Sequence, residues 1–71
     1  MKTWDEHVRD LADTILTTRD LCGNESVAIR DYLADYGFAR HSVNADLITQ
    51  KARELAEEIW AQARNREAPH V

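Results

Sequence analysis

The sequence predicts an all-α protein folded as a compact three-helix bundle, and three observations carry that prediction. Its only glycines, Gly23 and Gly37, and its only proline, Pro69, leave long uninterrupted segments between them. Within those segments apolar residues recur every three or four positions, the spacing that gathers side chains on one helix face. No stretch alternates apolar and polar residues over a useful length, as a half-buried strand would. Glycine is the usual residue just past a helix end, so the punctuation places helices at about 3–22, 25–36 and 42–64.

In the first helix, Trp4, Val8, Leu11, Ile15, Thr18 and Cys22 fall on one face, widened by Ala12 and Leu16. Thr3 or Asp5 stands at its start. Glu6, Asp10, Asp13 and Asp20 form an acidic ridge on the opposite face, where Glu6 and Asp10 are like charges one turn apart. "GNES" then supplies a stop and a start. Asn24 or Ser26 caps the second helix, and Glu25 favours its positive end. Ile29, Tyr32, Leu33 and Tyr36 make its apolar face. The helix ends at Gly37, with Phe38 set to fold back on Leu33 as the hydrophobic contact of a Schellman ending.

Ser42 or Asn44 caps the third helix. Its core stripe is Ala45, Ile48, Ala52, Leu55, Ala56, Ile59 and Ala63, and the four alanines allow close approach of another helix. Arg64 and Arg66 complement its negative pole. Residues 65–71, "NREAPHV", have no apolar periodicity and are expected to form a flexible tail after a single domain at 1–64. Short connections make the helices neighbours, either up-down-up or orthogonal.

A chain of 71 residues buries roughly 60% of its unfolded surface and is marginal alone, which favours a homodimer. The net charge of −4 opposes generic nucleic-acid binding. The imbalance is local. Residues 1–36 hold eight acids and four bases, whereas 37–71 hold five of each. One cysteine excludes an internal disulfide and a cysteine-based zinc site, and on the apolar stripe Cys22 is expected to be inert. With no apolar run near 20 residues and a polar N-terminus, the expected location is the cytoplasm and no membrane partner is expected.

Enzyme chemistry is poorly provided for. His7, His41 and His70 are scattered, no glycine-rich phosphate loop exists, and the carboxylates belong to solvent faces where nothing shifts their pKa values. No catalytic, cofactor-binding or metal-binding residue is therefore expected. Val43 and Leu47 project well away from the core stripe of their own helix. Either Phe38 and the preceding loop cover them, or they mark a contact surface. Trp60 lies at an edge of the stripe, and tryptophan is a common interface anchor. The expected function is that of a small acidic interaction module (a regulator, adaptor or inhibitor of the compact kind that mobile elements encode). Its expected partner is a protein with a basic surface, nucleic-acid-binding proteins included. Binding would use Val43, Leu47 and Trp60, steered by Glu6, Asp10 and Asp13.

A competing expectation is a helix-turn-helix-like transcriptional regulator using residues 40–53. Arg40 and His41 precede a helix that offers Asn44, Gln50, Lys51 and Arg53. The segment "SVNADLITQKARELAEEI" resembles the centromere-protein-B type of helix-turn-helix in its serine-valine start, its leucine-isoleucine pair and its lysine-alanine…leucine-alanine run. That resemblance covers residues 42–59, mostly helix formers, and would imply DNA reading by the third helix. Against it stand a connection from Gly37 to Ser42 longer than the usual turn, Asp46 near the phosphate-facing helix end, and Asp31 and Asp35 alongside.

Overall fold

A computed structural model describes residues 1–67, with side chains through Arg64. It is a three-helix bundle of α1 (Trp4–Asp20), α2 (Glu25–Asp35) and α3 (Val43–Glu67). No strand occurs among the described residues. None of the helices is long and apolar enough to cross a membrane. The third helix runs three residues beyond the expected end at 64. The remainder of the expected tail, residues 68–71, lies outside the described residues.

Each start is capped by a residue anticipated from the sequence. The Thr3 hydroxyl accepts from the Glu6 backbone N–H while the Glu6 carboxylate accepts from the Thr3 N–H, a reciprocal capping box. Asn24 accepts from the Val27 N–H at 3.2 Å, and Ser42 accepts from the Ala45 N–H at 3.1 Å. Each cap satisfies one donor that a helix start leaves without an internal partner.

The ends of α1 and α2 use one device with different residues. At the end of α2, the Phe38 N–H donates to the Leu33 carbonyl at 2.9 Å and the Gly37 N–H to Ala34 at 3.2 Å. Gly37 takes the left-handed conformation, φ +74°. This is the anticipated Schellman ending. At the end of α1 the same pair of bonds runs from Gly23 to Thr18 (2.8 Å) and from Cys22 to Arg19 (3.1 Å). The left-handed residue there is Cys22, φ +56°, not the glycine. Gly23 instead serves close approach, since a Cβ on it would meet Thr18 Cγ2 at 3.1 Å. This corrects the placement of Cys22 on the apolar stripe. The helix ends two residues earlier, and Cys22 is exposed.

The core is Leu11, Ala12 and Ile15 of α1, Ile29 and Tyr32 of α2, and Ile48, Ala52 and Ala56 of α3. Val8, Leu16, Leu33, Phe38 and Leu55 pack around it half-buried. Trp4, expected on the buried face, is exposed because it opens the helix at the edge of the bundle. The central element is α1, which packs against both other helices, while α2 and α3 meet only marginally. The helix pair α1/α2 is antiparallel, with Arg19 beside Glu25 at one end and His7 beside Tyr32 at the other.

Polar side chains lock this arrangement. The Arg19 guanidinium pairs with Glu25 of α2 at 3.1 Å and Glu57 of α3 at 2.6 Å, so one residue of α1 ties all three helices. Its pKa is raised above the usual arginine value, chiefly by the hydrogen bond to Glu57. At the opposite end of α1, the Tyr32 hydroxyl lies 3.0 Å from His7 Nδ1 and 3.4 Å from the His7 carbonyl. The His7 ring is edge-on to Tyr36 and Phe38, with centroids 5.1 and 5.2 Å away. Burial pushes the Tyr32 phenol up from its ordinary pKa.

Candidate functional site

The acidic ridge of α1 divides once side chains are placed. Asp10 is half-buried and forms an ion pair with Lys2, whose ammonium also donates to the Tyr36 hydroxyl at 2.8 Å. Glu6 is held in the capping box. Of the three expected steering residues, Asp13 alone is exposed with neither an ion pair nor a hydrogen bond among the described residues. The other two thus serve the local structure of α1. Sequence spacing could not reveal Lys2 as a partner, because it precedes the helix and reaches back to Asp10 beside a tyrosine of α2. Tyr36, expected on the core face, is exposed and supports that lysine, which lies 4.6 Å from its ring centroid.

Val43 and Leu47 are not covered. They are 74% and 43% exposed, while Phe38 turns inward against the core and His7. The reason lies in α3 itself. With about 100° between successive residues, Val43 and Leu47 point away from Ala45, Ile48, Ala52 and Ala56, which bury the other side. By the same rotation Gln50, Glu54 and Glu58 continue the outward face that Val43 and Leu47 begin, with Lys51 and Arg53 at its two margins. Gln50 and Glu54 are hydrogen-bonded at 3.4 Å. The face is apolar at its N-terminal end and acidic along its centre thereafter.

Trp60 is 37% exposed and sits elsewhere, more than three turns beyond Leu47 and on another side of the helix. It lines a hollow of about 300 Å³ with Leu16, Asp20, Ile59, Ala63 and Arg64. Ile59 and Ala63 belong to the stripe that is fully buried further back, and here they are exposed. Among the described residues, the last turns of α1 are what line this hollow beside α3. Val43, Leu47 and Trp60 therefore form two separate surfaces at opposite ends of one helix.

The candidate DNA-reading residues do not gather on one face. About 160° of helix rotation separates Lys51 from Arg53. Arg53 lines a shallow groove with Asp46, Glu54 and Glu57, an acidic setting for a phosphate contact. Arg40 and His41 border a cleft of about 480 Å³ between α2 and the start of α3, floored by Ile29, Leu33 and Phe38. Asp31 and Asp46 line that cleft too, balancing Arg30 and Arg40. His41 has a left-handed backbone, φ +61°, that turns the chain into α3. The marginal contact between α2 and α3 also separates the two helices that a helix-turn-helix packs together.

Among the described residues no charged side chain is buried, and no group of three or more His, Cys, Asp or Glu converges. Comparison of the chain with protein-family models, with curated proteins and with solved structures found no match.

Proposed function

We propose that this protein is a non-enzymatic interaction module that docks a basic partner protein along the outward face of α3. The observation that carries the reading is the exposure of Val43 and Leu47 on a face that continues into Gln50, Glu54 and Glu58. Two large apolar side chains one turn apart, well away from their own core, fit insertion of a helix face into an apolar groove. The acidic turns that follow suit a groove rimmed by lysine or arginine, and such charges raise the association rate. Regulators, adaptors and inhibitors all work by occupying a surface in this way. The expected setting is the cytoplasm.

The test is cross-linking in native extract, comparing wild type with Leu47→Asp and with Glu54→Lys/Glu58→Lys. Leu47 is exposed, so Leu47→Asp is expected to change stability by less than about 0.5 kcal/mol while removing the partner. The double lysine variant is expected to weaken capture most at low salt. If both variants retain the wild-type cross-links, α3's outward face is not the docking surface.

A further inference from the structure

We infer that the hollow at the C-terminal end of α1 and α3 is the seat of a second copy of this chain, docked with two-fold symmetry. This inference goes beyond the outward-face reading and does not rest on it. The stripe that buries Ile48, Ala52 and Ala56 completely loses its cover at Ile59 and Ala63. The surface left open is centred on Ile59 and Trp60, 36% and 37% exposed, with the half-buried Leu16 beside them. A small domain has little core to spare, and covering this end would extend the same apolar layer.

Charge decides what covers it. A two-fold interface brings one patch against itself, so the patch must be complementary to itself. Among the described side chains, this hollow is lined by one acid, Asp20, and one base, Arg64. Neither is ion-paired among the described residues, although both line the same hollow. In a symmetric pair, Asp20 of each copy meets Arg64 of the other, giving two equivalent pairs. Asp20 is also badly placed for its own helix. It is the last residue of α1, where the negative pole disfavours a carboxylate. A residue set against its local preference points to a compensating contact elsewhere. The outward face of α3 differs, since the charged residues along its centre, Glu54 and Glu58, are both acidic.

The experiment is sedimentation of the full chain over a wide concentration range, with Asp20→Arg, Arg64→Asp and an equimolar mixture of the two. Wild type is expected to double in mass as concentration rises. Each single variant replaces two attractive pairs per dimer with two repulsive ones and should dimerise roughly tenfold more weakly or worse. The mixture should recover association as a heterodimer. One variant is then basic at both positions 20 and 64 and the other acidic at both, so each cross-copy pair again joins opposite charges. Trp60→Ala should be monomeric with an unchanged helical circular-dichroism signal. A wild type that stays monomeric, a mixture that associates no better than its components, or a Trp60→Ala variant that dimerises normally overturns the proposal. The first of these is the result expected if the chain's own residues 68–71 fill the hollow.

Discussion

Cys22 holds a left-handed backbone conformation, φ +56°, in the second bond pair of a Schellman ending. For a residue with a Cβ that conformation costs about 1–2 kcal/mol. Cys22→Gly removes the cost but adds freedom to the unfolded chain, which offsets about 0.4–1 kcal/mol. The net expectation is a gain of about 0.5–1 kcal/mol, or a rise in Tm of about 3–6 °C for a domain of this size. Cys22→Ala keeps the Cβ and removes only the thiol, so it should shift stability by less than about 0.5 kcal/mol. Gly37→Ala is the mirror experiment. Gly37 has φ +74°, with nothing within 4 Å of where a Cβ would sit, so the backbone term stands alone. That variant should lose about 0.5–1 kcal/mol by the same arithmetic. Urea denaturation of the four proteins under reducing conditions reads all three differences. A loss in Cys22→Gly would mean that Gly23, not Cys22, holds the left-handed position at the end of α1. An equal gain in Cys22→Ala would assign the effect to the thiol.

Two further expectations concern the polar locks. Removing Arg19 should cost more than removing either carboxylate, because it strands Glu25 and Glu57 together. A double-mutant cycle of Arg19→Ala with Glu57→Gln should give a coupling of about 0.3–1 kcal/mol that shrinks in high salt, and zero coupling at low salt would deny the pair. Stability should also fall in alkali. The Tyr32 phenol is raised by burial, and the Lys2 ammonium is raised chiefly by its hydrogen bond to Asp10, so both favour their protonated forms in the folded state. That stability is fully present below their unfolded values, about 10 for both groups, and is lost as pH rises through the higher folded values. Denaturation midpoints at rising pH check this, and Tyr32→Phe should flatten the decline; a slope unchanged by that variant would place the sensitivity elsewhere.

Local chemistry made the three helices legible. Thr3, Asn24 and Ser42 act within three residues of their own positions, as does the glycine that ends α2, so their roles need no knowledge of the rest of the chain. The first helix end was less legible because its left-handed position is held by Cys22, a residue with a Cβ, and not by the glycine that follows it. Gly23 was visible as a stop, but its crowding against Thr18 depends on side-chain placement. The exposure of Val43 and Leu47 was half legible. Their direction followed from helical rotation and Phe38 was expected against Leu33, whereas its packing on His7 of α1, away from Val43 and Leu47, did not follow.

By itself, the sequence determined the number of helices, narrowed each cap to two residues and gave the middle of each inward face, because each depends on interactions within a turn or two of helix. The tertiary structure alone decided which charges are engaged. Lys2 with Asp10 and Tyr36, and Arg19 with Glu25 and Glu57, join residues that meet only after the helices pack. It also decided where the apolar stripe of α3 runs out of cover, since that depends on where α1 stops beside it and not on any property of Ile59 or Trp60.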